Sequence, residues 1–399
     1  MTSGSRALFA DCEGRITRLA VQIQAYLFTE GYAAEKAAYE ALLQTFPHDV
    51  TISVLFDAAM AADVAAWLSG LRLACVYNPV GVPGGKVSLG RTWMRDAFLC
   101  VTDNTTIQYL KPYISKQGGD QANWLAAVDG RTVTELDDIF LDGGDSLVGN
   151  NFRLVGNRAV TTTCEVMDHQ CDYPTALGRF ARLDHRRVYP VGYRPSRVEH
   201  KLLWFKDQVR RRLEAARQQK TAALAPPGGL PTVTLTLLRA MLEVLRLFFA
   251  DGLVQDWAHI DLVVSVTGRE PNGKQVLLVA KTELSPNPGE DEILESDRLE
   301  ALAAYLSDCG FEVRRNPAPY LADPGISLCY NNTIVQTGPD KVWLPQFSDA
   351  NPDYQAADDA NARIWHEDLG FDVVRVPGWM IYVDSSASIR CATNVLERQ

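Results

Sequence analysis

Two stretches in the second half of the chain spell out the same succession of elements, and this repetition restricts the available folds more than any other feature. The first, HIDLVVSVTGREPNGKQVLLVAKTEL, reads as a β-hairpin turning at Asn272-Gly273; the helix SDRLEALAAYLSD follows, stops at Gly310, and gives way to the strand FEVRR. The second, SLCYNNTIVQTGPDKVWLPQF, turns at Gly338-Pro339 and leads to the helix YQAADDANARIWHEDL, ended by Gly370, and the strand FDVVRVP. The order is shared while the residues are not, which points to structural repetition.

A third hairpin, DSLVGNNFRLVGNRAVTT, turns at Gly149-Asn150. From Arg15 to about Leu73, β-rich runs (RLAVQIQAYLF, DVTISVLF) alternate with helical ones (AAEKAAYEALLQTF, AAMAADVAAWLSGL), and Asn78 to Gly90 reads as turn-rich, with Pro79, Pro83 and Gly84-Gly85. The sequence predicts an α/β chain. Val198 to Gly252 differs in kind: a charged helix, the break APPGGLP and an apolar helix predict a helical insertion, 198–252, within one domain spanning 1–399. Its Arg210-Arg211-Arg212 run, at helical spacing, reads as a solvated face.

With 399 residues, 47% hydrophobic and 22% charged, the chain can bury a sizeable core. A net charge of -10 argues against an extended nucleic-acid footprint and suits a cationic small molecule. The eight cysteines form no CxxC pair, so reduced thiols are expected. The start, MTSGSRALFADCEG, lacks the regions of a signal peptide, and no run reaches the roughly 18 apolar residues of a membrane span. A cytoplasmic location away from membranes is therefore expected, and a homodimer is left open.

Four segments place an acid, a base or a nucleophile at a strand end or turn: WMRD (Asp96), LDGGD (Asp142, Asp145), HID (His259, Asp261) and SIRCATN (Cys391). Each is weak alone, since a single cysteine on an apolar stretch is usually core and Gly143-Gly144 is usually a turn. In this order they resemble the guanidine-modifying enzymes of the pentein superfamily, most closely the agmatine deiminase and peptidylarginine deiminase group. TWMRD resembles that group's Trp-x-x-Asp segment, LDGGDSLVGNNFRLVG is similar to the acidic-Gly-Gly segment of arginine deiminases and dimethylarginine hydrolases, HID resembles the family's His-x-Asp and RCATNVL its terminal cysteine segment.

The resemblance implies the pentein fold, an α/β propeller of five ββαβ-type modules around a pseudo-fivefold axis with the active site at its centre. It also implies a hydrolase of linear amidines that acts on a small-molecule or peptidyl guanidino substrate and needs no cofactor or metal. A guanidinium is a resonance-stabilised cation, so its hydrolysis requires clamping by carboxylates and attack by a strong nucleophile. Asp96 and Asp261 are assigned to the clamp, Cys391 to the attack and His259 to proton transfer. Asp142 is expected to hold and charge His259, and Asp145 to cap a turn. Trp93 and Arg390 are counted among the substrate-binding residues.

Two departures stand out: Arg390 occupies the place before the nucleophile where the deiminases commonly have His, and their Gly-rich approach is replaced by Asp384-Ser385-Ser386-Ala387-Ser388. A free amino-acid substrate would need a partner for its carboxylate, for which Arg95, Arg315 and Arg390 are candidates. The same residues would serve amidino transfer, the alternative to hydrolysis, and a non-catalytic binding scaffold is the more distant reading. The spacing of His259, Asp261 and Cys391 matches no zinc pattern.

Overall fold

Where Asn272 and Gly273 interrupt the apolar alternation, both take positive φ, 56° and 74°, and the flanking strands Val264–Val266 and Val276–Glu283 pair antiparallel. The computed structural model that shows this describes residues 6–83, 93–103, 106–112, 120–167, 171–194 and 253–399, so the expected insertion at 198–252 lies outside the described residues. The helix Glu290–Asp308 crosses back and is stopped by Gly310 at φ 98°. Strand Glu312–Leu321 then runs parallel to Val276–Glu283. The helix begins earlier than its apolar periodicity suggests, because Glu290, Asp291 and Glu292 place negative charge against its positive end.

The second unit repeats the plan. Ile334–Gln336 pairs antiparallel with Lys341–Pro345, which pairs parallel with Asp372–Val376. The connecting helix, Gln355–Arg363, widens into a π turn, Ile364–Asp368, before Gly370 ends it at φ 72°. Two further units follow the same order: Leu99–Thr102, Ile107–Pro112, helix Gln121–Asp129 and Thr132–Leu136, then Ser146–Val148, Phe152–Gly156, helices Asn157–Met167 and Tyr173–Ala181, and Arg187–Val191.

A fifth sheet completes the set, and no sheet among the described residues closes into a barrel. In it, Ile16–Gln22 leads through helix Ala33–Leu43 to the parallel strand Thr51–Asp57, while its antiparallel partner, Thr393–Arg398, comes from the far end of the sequence. The junction is tied by Arg15 N–H to Gln399 O at 2.7 Å and Gln399 N–H to Arg15 O at 2.9 Å. Leu396 is fully buried there beside Ala20, Leu55, Met94 and Tyr109.

Two expectations are corrected. Asn78 to Val82, read as turn-rich, belongs to strand Val76–Val82, parallel to Thr51–Asp57. It is an edge strand with a free side, where Pro79 is tolerated. The β-rich run RLAVQIQAYLF splits, its strand ending at Gln22 and Ala25–Phe28 forming a 3₁₀ turn. Among the described residues no helix is long and apolar enough to cross a membrane.

Because Leu396 is buried where Ile16–Gln22 meets Thr393–Arg398, Leu396→Ala is expected to cost about 2–5 kcal/mol, the usual range for a buried leucine. Urea unfolding followed by circular dichroism measures it, and a loss well below that range would show that the closure is not a principal support.

Candidate active site

In each unit a short turn precedes the first strand, and these turns bring the chemistry together. Met94–Asp96, led by Trp93, precedes Leu99–Thr102, and Gly143–Asp145, led by Asp142, precedes Ser146–Val148. His259 heads the turn Ile260–Leu262 before Val264–Val266, Asn331 and Asn332 precede Ile334–Gln336, and the one-turn helix Ile389–Ala392, carrying Cys391, precedes Thr393–Arg398.

One ring nitrogen of His259, one carboxylate oxygen of Asp261 and Cys391 Sγ all lie within 4.8 Å of one another, close enough to hold a metal ion as well as to exchange a proton. Sequence spacing gave no hint of that proximity. His259 Nε2 lies 3.6 Å from Asp142 Oδ2 and 3.9 Å from Asp96 Oδ2, and all five residues are buried.

The imidazole fits because Gly144 lacks a side chain: a Cβ there would stand 2.4 Å from His259 Nδ1. The Gly144 N–H donates to Asp96 Oδ1 at 3.0 Å, so the Gly-Gly turn also orients that carboxylate. Asp145 does not cap its own turn through its side chain. It accepts from Ile260 N–H at 3.2 Å and from the Gln255 amide at 2.7 Å, and so fixes the turn that carries His259. Arg158 stands 3.6 Å from Asp142 and 3.7 Å from Asp145 and offsets their charge.

Burial works against a charged His259, but Asp96, followed by Asp142, Cys391 and Asp145, outweighs it and holds the imidazole's pKa well above its ordinary value. Burial raises the Asp96 carboxyl, with His259 opposing and Asp142 reinforcing. Burial and then Asp261 push the Cys391 thiol up, against a pull downward from His259. The acids around it thus favour the charged form of His259, while burial and Asp261 favour the neutral thiol of Cys391.

Arg390 supplies part of the cation that Asp261 sees. Its guanidinium bonds Asp261 Oδ2, donates to Ser146 O at 3.0 Å and lies 3.0 Å from Asp11 Oδ1. Arg95 approaches the same Asp11 at 3.2 Å and donates to Ser146 O at 3.1 Å and Gly143 O at 3.2 Å. Asp261 thus has one oxygen taken by the protein's own guanidinium, while Oδ1 has no hydrogen-bond partner among the described residues. Arg315 pairs with Glu300 at 2.7 Å instead. Trp93 is half-buried and packs edge-on against Tyr382, ring centroids 5.5 Å apart.

Neither a protein-family model nor a curated protein matches the sequence. Solved structures do match. The agmatine deiminase of C. jejuni gives a TM-score of 0.61 at 10% identity, over 99% of this chain and 96% of that one. That of Enterococcus faecalis gives 0.62 at 11%, over 99% and 96%. A cysteine-to-serine variant of the C. jejuni enzyme with substrate bound gives 0.62 at 9%, over 98% and 96%. The fold is that of the agmatine deiminases.

Within this deiminase fold, one member of the cluster escaped the sequence reading. Asn332 is fully buried; its Oδ1 accepts from the N–H groups of Arg390 at 2.9 Å and Cys391 at 3.2 Å, and its Nδ2 donates to Cys391 Sγ at 3.1 Å. The amide both fixes the turn that presents the thiol and offers a donor to its anion. The signal for it was positional: Asn332 stands before the fourth hairpin where the other units carry an acid, a histidine or a cysteine.

Removing that donor in Asn332→Ala is expected to slow iodoacetamide labelling of Cys391 at neutral pH by about tenfold or more, the worth of one charge-assisted hydrogen bond. The rate followed against pH should show its midpoint moved upward. For His259, the ring-proton NMR signal lost in His259→Gln is expected to titrate above the ordinary value of about 6.5 in the parent and to fall back in Asp96→Asn. An unchanged midpoint in Asp96→Asn would mean that Asp96 does not charge the imidazole.

Proposed function

We propose that this chain is a hydrolytic deiminase that acts on the guanidino group of an arginine-like substrate, whether agmatine, arginine or peptidyl arginine, through Cys391. The observation that carries the reading is the meeting of Cys391, His259 and Asp261 within 4.8 Å, buried beside Asp96 and Asp142. The fold shared with agmatine deiminases supports it. The five like units are read as modules around one pseudo-fivefold axis, with the cluster at its centre and 198–252 inserted between two of them.

In this reading the substrate cation is held by Asp96 and by the free oxygen of Asp261, whose other oxygen stays on Arg390. Its arrival supplies the positive charge that the buried thiol lacks, so binding and ionisation are coupled. Cys391 Sγ attacks the guanidino carbon, and the leaving nitrogen takes a proton from His259 and departs as ammonia. Neutral His259, held by Asp142, then accepts a proton from water as its oxygen attacks the thiouronium carbon. The carbon–sulfur bond breaks, the remaining hydroxyl proton passes to solvent, and the ureido product leaves the Cys391 thiolate behind.

Incubation with a panel of agmatine, arginine and peptidyl arginine is expected to give one ammonia per ureido group from at least one member without an added amine. Cys391→Ser should abolish it, and Asp96→Asn should lower kcat/KM by about 100-fold, as expected when the partner of a desolvated cation loses its charge. Product that forms only when an acceptor amine is supplied would replace hydrolysis by amidino transfer.

A further inference from the structure

Away from this cluster, two thiols are held against each other. Cys164, on helix Asn157–Met167, and Cys171, just before helix Tyr173–Ala181, have their sulfurs 3.5 Å apart. One carbonyl gathers both: Asp172 O accepts from Cys164 at 3.2 Å and from Cys171 at 3.5 Å. Asp172 is itself pinned, its side chain capping the second helix through Thr175 N–H at 2.9 Å. Both cysteines are partly exposed, and neither belongs to the machinery above.

We propose that Cys164 and Cys171 are a reversible dithiol–disulfide couple, closed by small disulfides and reopened by thiols. Closure needs the sulfurs to approach from contact to a bond of about 2.05 Å, a movement within the reach of side-chain rotation at this separation. The Cys171 thiolate attacks one sulfur of glutathione disulfide and expels a glutathione thiolate. The Cys164 thiolate then attacks the Cys171 sulfur of the mixed disulfide and expels the second. The protein loses two electrons and two thiol protons, and one glutathione disulfide becomes two glutathiones. Burial and the bond from Cys171 push the Cys164 thiol up to about 12, which disfavours Cys164 as the first attacker, and the second step relies on the 3.5 Å separation of the two sulfurs. The closed couple would brace the helix whose first turn carries Arg158 beside Asp142 and Asp145.

The test uses the full folded chain equilibrated over a range of glutathione to glutathione-disulfide ratios, quenched with iodoacetamide and digested with trypsin. Both cysteines fall on one peptide, residues 159–179, so closure is read directly. The expected result is a peptide two hydrogens lighter and unlabelled at oxidising ratios, and doubly labelled after dithiothreitol. Cys164→Ser should accumulate the glutathione adduct on Cys171. Half-closure in the folded chain should need at least about tenfold less glutathione disulfide than in concentrated urea, since the fold supplies the proximity. A doubly labelled peptide at every ratio, a wild-type adduct that never resolves, or equal closure in urea would overturn the proposal.

Discussion

Strand Ile16–Gln22 meets Thr51–Asp57 on one edge, and its other edge is filled only by Thr393–Arg398, hundreds of residues away. Until that pairing forms, this sheet lacks its antiparallel partner and Cys391, two residues ahead of the returning strand, has no place in the cluster. Joining the far ends of the sequence carries the entropy of a very long closure, so it must be favoured by contacts already made elsewhere. The order of folding and the assembly of the site are therefore linked, because the nucleophile arrives with the strand that completes the last sheet.

Charge is the second constraint. Asp11, Asp96, Asp142, Asp145 and Asp261 are interleaved with Arg95, Arg158, Arg390 and His259 in a small, mostly buried volume. Any of these ions alone would cost several kcal/mol to desolvate, and each is tolerated because its neighbours are of opposite sign. This accounts for Arg390 where the deiminases it resembles commonly have His: its fork reaches Asp261, Asp11 and Ser146 O together, a span an imidazole does not cover. Asp11 is shared between Arg390 and Arg95, and Arg390 between Asp11 and Asp261.

What was legible in the sequence was local. Asn272-Gly273, Gly338-Pro339, Gly310 and Gly370 announce turns and helix ends through backbone preferences that hold in any context, and the hairpins lie where those residues place them. Cys391, His259 and the acids, each weak alone, were visible because their segments in this order resemble a known family. Asn332 and Asp11 were not, since an amide and a single early carboxylate look ordinary until the fold sets them against Cys391 and Arg390. Asn78 to Val82 misled because Pro and Gly are turn-formers by composition, whereas an edge strand with a free side accepts them.

Asp96, Asp142, His259 and Cys391 each hang from the front of a different sheet, so no single element sets the distances between them. The separations of 3.6 and 3.9 Å around His259 exceed a hydrogen bond by roughly half an ångström or more. That gap is set by how the sheets lean on one another. The site is in this sense a mechanical assembly, like jaws of a chuck closing on a common point. Its alignment depends on the stiffness of packing between sheets, and a softened contact far from any reacting atom would be felt first as lost alignment, well before the fold gives way.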